Sequence, residues 1–132
     1  MSHENLAILQ RGFEYFAATG DQLWENYSDD VVVHDHESPD QAEYVGHDGV
    51  RRWLAEWSGA WDEWHVEVEQ MLDAGDAVLV LIHHTARGHA SGMRMDSHDG
   101  MLFTMREGKV KALDYYTGRE RALAAAGLPP SA

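Results

Sequence analysis

Residues 64–87 read WHVEVEQMLDAGDAVLVLIHHTAR, and the spacing of their apolar positions changes twice along the way. Trp64, Val66 and Val68 alternate with His65, Glu67 and Glu69, the period of two expected of a strand with one buried and one wet face. Asp73 to Asp76 (DAGD) predicts a hairpin turn. Ala77 to Arg87 is then apolar on both faces, which predicts a central strand. Further along, Gly88 to Gly92 (GHASG) turns the chain again. Met93 to Met105 and Val110 to Tyr116 make two more strands around the turn Arg106-Glu107-Gly108-Lys109. The second half of the chain therefore reads as an antiparallel meander.

Upstream the period becomes helical. Between Glu4 and Thr19, Leu6, Leu9, Phe13, Phe16 and Ala17 recur at steps of three and four, and Gly20 is a natural stop. Asp21 is placed to cap a second short helix with Leu23, Trp24 and Tyr27 inward, interrupted by Asp29 and Asp30. The β-branched run Val31 to Val33 starts a strand. Glu37 to Gly46 (ESPDQAEYVG) has loop composition, and Asp48 caps a third helix carrying Val50, Trp53, Leu54, Trp57 and Trp61. A short Ala-rich helix closes the chain, with Gly127 behind it. Helices first and a meander after them argue for an α+β fold, the helices packed on one face of a curved, mostly antiparallel sheet.

At 132 residues the chain reads as a single domain over 1–132 with its core between residues 4 and 128. Hydrophobic residues at 44% and charged residues at 25% suit a folded chain. Ten basic against 23 acidic residues give a formal charge of −13, which repels phosphate backbones and anionic leaflets; no nucleic acid and no membrane is expected as partner. Zero cysteines exclude disulfides, thiolate zinc sites and a cysteine nucleophile. The longest apolar run, Ala77 to Ile82, is too short to span a bilayer, and no signal segment follows Met1, so a cytoplasmic protein is expected.

Three segments, YVGHDGVRRWLAEW at 44–57, DAGDAVLVL at 73–81 and MREGKVKALDYYTGRERALAAAGL at 105–128, together resemble the SnoaL-like proteins of the nuclear transport factor 2-like superfamily. The resemblance extends from Glu4 to Leu128. It implies a cone in which the sheet wraps around a pocket closed by helices, and a homodimer. Its members include ketosteroid isomerases, polyketide cyclases, epoxide hydrolases and proteins that only bind a ligand or a partner, so the fold leaves activity open.

Strand alternation selects the candidate residues. Met93, Met95, Ser97, Asp99, Met101, Phe103 and Met105 share one face of their strand, and Asp99 is the charged residue among them. Desolvation there is expected to raise its pKa and make it a proton donor near neutral pH. The alternative is that Gly100 marks a β-bulge that turns Asp99 to solvent. Asp35 shares a face with Val31 and Val33, and its position resembles that of the general-base aspartate of ketosteroid isomerases, as Asp99 resembles their protonated one; its alternative is a solvated strand end. Phe13 stands where those isomerases carry an oxyanion-binding tyrosine, which argues against steroid isomerisation. The Asp-Arg-Asp arrangement of the superfamily's epoxide hydrolases is not traceable, whereas a polyketide cyclase needs only one pocket carboxylate.

Around these two catalytic candidates, Phe13, Phe16, Trp24, Tyr27, Trp53, Trp57, His83, Met95, Met101, Phe103 and Tyr115 are expected to line the pocket, with His83 or His84 supplying a polar group. The helical spacing of the tryptophans also serves simple core packing. His34 and His36 form an H-x-H pair, with His83, His84, His89 and His98 in strands and turns that follow, but exposed or hydrogen-bonded histidine is the commoner outcome and no metal is assigned. The sequence thus predicts a cofactor-free pocket for a small hydrophobic molecule, used for isomerase- or cyclase-like acid–base chemistry or for binding alone. Catalysis predicts a carboxylate facing the cavity with a polar neighbour in reach; a carrier predicts a dry pocket with both aspartates turned out.

Overall fold

In the computed structural model, which describes residues 2–37, 42–59, 61–88 and 92–130, helix α1 (Ser2–Thr19) ends at Gly20, whose φ of 78° is left-handed. The helix expected after Asp21 shrinks to one 3-10 turn, Trp24–Asn26. Strand β1 begins already at Tyr27 and runs to Asp35, so Asp29 and Asp30 lie in a strand instead of breaking a helix. The strand wins because Tyr27 pairs with Val110 on a neighbouring strand and Lys111 meets the exposed carboxylate of Asp30, neither of which local periodicity reveals.

Strand β2 (Glu43–Val45) falls inside the segment read as loop; three residues are too few to show alternation. It pairs antiparallel with Val32 to His34. Residues 38–41 of that loop lie outside the described residues, as do residues 89–91 of the turn assigned to Gly88 to Gly92. Helix α2 (Gly46–Gly59) stops before Trp61, which opens strand β3 (Trp61–Ala74) rather than completing the helix.

The meander itself forms as its spacing predicts, through β3, β4 (Ala77–Gly88), β5 (Arg94–Arg106) and β6 (Lys109–Tyr116). Gly75 and Asp76 join β3 to β4, and the Asp73 carboxylate accepts from Gly75 N–H at 3.1 Å to brace the turn. Glu107 and Gly108 join β5 to β6 with φ of 52° and 77°, the left-handed pair that matches the twist of a hairpin. The sheet has the order β2-β1-β6-β5-β4-β3 and is antiparallel except where β1 runs parallel to β6. It is curved and does not close. Among the described residues no helix is long and apolar enough to cross a membrane.

One expectation about layering is corrected. Helices α1 and α2 cover the inner face, where Leu9, Val50 and Trp53 meet Val78, Val80 and Phe103. The last helix, α3 (Arg119–Ala125), packs on the opposite face, with Ala122 and Leu123 against Leu79 and Leu81. Gly100 makes that approach possible: a Cβ at this position would overlap the Cβ of Ala122. Gly100 is therefore no bulge. Pairing of β4 with β5 is unbroken from Ala77 to Arg87, with Ile82 opposite Asp99, so Asp99 stays on the inner face.

Candidate functional site

With Val78, Val80 and Ile82 facing the core, alternation carries His84 inward and His83 outward. On the neighbouring strands the same rule turns Asp99 and Phe103 of β5, Leu113 and Tyr115 of β6, and Asp35 of β1 to the inside. Tyr116 faces the other way and stacks on His36 at 4.4 Å between ring centroids.

A cavity of about 80 Å³ lies between α1, α2 and this inner face. Of the residues expected to line it, Phe13, Phe16, Tyr27, Trp53, Trp57, Met101, Phe103 and Tyr115 do so. Trp24, His83 and Met95 do not. Trp24 stands outside, its ring 5.2 Å from that of His47 and covered by the Arg51 guanidinium at 4.3 Å. His83 points to the far face of the sheet, where it pairs with Asp96 at 2.7 Å. Met95 has the right parity but lies opposite Ala86, beyond the Ser97–His84 pair and past the end of the cavity. Among the described residues no charged side chain lines the cavity.

Behind its wall sits a buried polar cluster. Asp99, 1% exposed, accepts four hydrogen bonds: from His84 Nε2 and from the Tyr115 hydroxyl at 2.6 Å on Oδ2, and from the Ser97 hydroxyl at 2.7 Å and Gly118 N–H at 2.9 Å on Oδ1. The indole N–H of Trp64 donates to His84 Nδ1 at 3.3 Å. Because tryptophan only donates, Nδ1 is the unprotonated nitrogen of a neutral ring, and the ring's proton sits on Nε2 toward Asp99. Both nitrogens of His84 are thus in use.

This overturns the expected role of Asp99 as a protonated acid in the cavity. Burial alone pushes its pKa up, as the sequence suggested, but donors from His84, Tyr115, Gly118 and Ser97 together outweigh burial and hold the carboxyl well below its usual range. A neutral acid needs an acceptor for its own proton, and this site offers donors. Burial, with the Asp99 carboxylate beside it, pushes the Tyr115 phenol far up. Asp35 is likewise neither solvated nor in the cavity: Trp53 Nε1–H donates to one of its oxygens at 2.9 Å and Glu37 N–H to the other at 2.9 Å. The structure is therefore neither of the two arrangements envisaged. Both aspartates are inside the protein, and the cavity is reached from Asp99 only through His84 and Tyr115.

Sequence reasoning missed the polar end of the cavity, formed by Gln22 and Asn26. Asn26 Nδ2 donates to the Ile8 carbonyl at 3.1 Å, and the Tyr27 hydroxyl donates to Gln22 Oε1 at 2.6 Å. These bonds leave Asn26 Oδ1 as a spare acceptor and Gln22 Nε2 as a spare donor. A signal was present in Gly12, a helix-weakening residue in the middle of α1: a Cβ there would stand 3.0 Å from Asn26 Nδ2. The H-x-H pair, His34 and His36, lies beside two carboxylates. His34 pairs with Glu43 at 3.0 Å and with Asp114 at 3.2 Å, and His36 pairs with Asp114 at 2.8 Å.

A profile of the SnoaL-like domain matches residues 10–113. The chain belongs to the SnoaL-like family. This SnoaL-like protein is similar in structure to a protein from Jannaschia sp. CCS1 described as a SnoaL-like polyketide cyclase, at 22% identity and TM-score 0.74, covering 98% of this chain and 95% of that one. It is similar to Bal32a, from a soil-derived mobile gene cassette, at 18% identity and TM-score 0.77, with 92% and 94% covered. TerC, co-crystallised with polyporic acid, aligns at 16% identity and TM-score 0.73 over 98% and 99% of the two chains. At such identities the likeness shows a shared fold. No curated protein matches the SnoaL-like chain in sequence.

Proposed function

We propose that this protein binds a small, mostly apolar molecule in the cone cavity and moves a proton on it without a cofactor, His84 being the acid–base group. The observation that carries this reading is the His84–Asp99 pair, buried at the wall of an apolar cavity with the imidazole held in one tautomer. The bond from Trp64 to Nδ1 is long, so an activated C–H or an O–H of a ligand is able to replace the indole there. His84 takes that proton at Nδ1. The imidazolium that forms is stabilised by the ionised Asp99, which Tyr115, Ser97 and Gly118 keep in place. Returning the proton to another atom of the ligand completes an isomerisation or accompanies ring closure. Asp99 and Tyr115 are positioning residues here, and Asp35 has no part in the chemistry.

The cavity volume is below the roughly 300–1,000 Å³ of sites for drug-sized ligands. A monocyclic ligand suits it better than a polycyclic one, unless flexible walls such as Met101 and Leu54 swing aside. The spare groups of Asn26 and Gln22 favour a ligand with one polar end. The crystallisation of TerC with polyporic acid supports ligand binding in this fold.

A second reading, a carrier without turnover, is favoured by a different observation: every polar atom of His84 and Asp99 already has a partner within the protein. Incubation with cyclic β-diketones and enones in D2O, followed by NMR, separates the two. Proton transfer predicts protein-dependent deuterium incorporation that falls by 10²–10⁴-fold in His84→Asn while binding, read by quenching of the cavity tryptophans, persists. Binding with no exchange above the buffer rate leaves the carrier.

A further inference from the structure

On the far side of the sheet the same two strands carry a second histidine–carboxylate group. Helix α3 covers Leu79 and Leu81, and the next outward position of β4, His83, belongs to the half that α3 leaves open. His83 is the direct cross-strand partner of His98, and their rings stack at 4.3 Å with an interplanar angle of 4°. Asp96 lies one outward step from His98 and pairs with His83 Nε2 at 2.7 Å. Ligand atoms of His83, Asp96 and His98 lie within 4.8 Å of one another, the one such trio among the described residues.

We propose that His83, His98 and Asp96 form a binding site for a first-row divalent cation of the zinc type. Two imidazoles and a carboxylate are a donor set suited to such an ion. Ligand atoms at about 2.0–2.2 Å around a tetrahedral ion stand about 3.4 Å apart, so the trio closes by small rotations of the half-buried His83 and the exposed Asp96 and His98, the Asp96–His83 pair opening slightly as the ion enters. Glu69 is paired with His98 Nδ1 at 3.0 Å and leaves Nε2 for the ion, as a carboxylate behind a metal-bound histidine does. Glu69 lies where the register of β3 against β4 shifts, between Val68 and Gln70. Glu67, directly across from His83, and the overall charge of −13 add a field that concentrates cations at this face.

The test is calorimetric titration of zinc chloride into the full chain after treatment with chelator. The site predicts one saturable equivalent per chain, weakened at least tenfold by His83→Asn and by His98→Asn, and unchanged by joint replacement of His34 and His36 with Asn. Circular dichroism checks that each variant is folded; if either histidine variant is not, Asp96→Asn is expected to weaken zinc in the same way. Absence of saturable binding overturns the proposal, as does binding that survives in folded His83→Asn and His98→Asn, which would place the ion on other histidines.

Discussion

The indole N–H of Trp64 on β3 and Nδ1 of His84 on β4 are 3.3 Å apart, and this contact marks which side of the imidazole carries its proton. A donor-only partner at Nδ1 leaves Nε2–H to Asp99. In Trp64→Phe the ring stays apolar and large but the donor is gone. Because the ionised Asp99 still accepts from Nε2–H, we expect the Nε2–H tautomer to persist in ¹⁵N NMR of the His84 ring, with a loss of about 1 kcal/mol in urea unfolding, the net worth of one hydrogen bond. Appearance of the second tautomer would mean that Trp64, and not Asp99, orients the ring.

Acid should unfold this protein partly through Asp99. Its folded pKa lies below the unfolded value of about 3.9. The ionised group therefore contributes stability that is fully present above that value and is lost as pH falls through the folded one. In Asp99→Asn the group no longer titrates. The variant is expected to lose about 2 kcal/mol at pH 7, because hydrogen bonds to a charge become bonds to a neutral amide. The gap between wild type and variant should narrow below about pH 4. Urea midpoints measured from pH 2 to pH 8 check this; parallel curves across that range would remove Asp99 as the linked group.

How far the sequence carries such arguments depends on the range of the forces involved. Alternation in 64–87 made the β3–β4 hairpin legible, since a half-buried strand writes its two faces into the chain. The same rule fails at 77–82, apolar on both faces, and this is why His84 could not be told from His83 until the run was anchored by its neighbours. Tyr27 read as part of a helix, with Asp29 and Asp30 as its interruption, because the evidence for a strand there, Val110 and Lys111, lies more than 80 residues away. Asp99 shows the limit for electrostatics. Its burial could be inferred, but the sign of its pKa shift rests on Tyr115, Gly118 and His84, whose convergence on one carboxylate is a property of the folded sheet.

Asp35 offers a sharper contrast between resemblance and geometry. A general base at this position would make Asp35→Asn lose 10²–10⁴-fold in proton transfer. The structure instead gives Asp35 the task of receiving Trp53 Nε1–H and Glu37 N–H. An amide oxygen still accepts one of these, so Asp35→Asn should keep exchange activity within about threefold. Asp35→Ala leaves a buried indole N–H unpaired and is expected to lower stability by roughly 2 kcal/mol. Deuterium exchange and urea unfolding on the two variants distinguish a base from a structural acceptor.

Gly100 gives the most direct test of the layering. A methyl group added there has nowhere to go: Ala122 of α3 occupies the space, and Leu79 and Leu81 side chains stand 3.4 Å away on the sheet. Backbone conformation is not the obstacle, because Gly100 is a regular ladder position opposite Leu81. Gly100→Ala should therefore displace α3 and destabilise the fold by about 1–3 kcal/mol through overpacking alone. Removing the opposing methyl with Ala122→Gly weakens α3 by about 1 kcal/mol on its own, since glycine is a poor helix former. If the two methyl positions compete for one space, the double variant is more stable than the sum of the single losses predicts, by at least 0.5 kcal/mol in the coupling term. Simple additivity in that cycle would mean that α3 is free to move off the sheet and does not depend on the glycine beneath it.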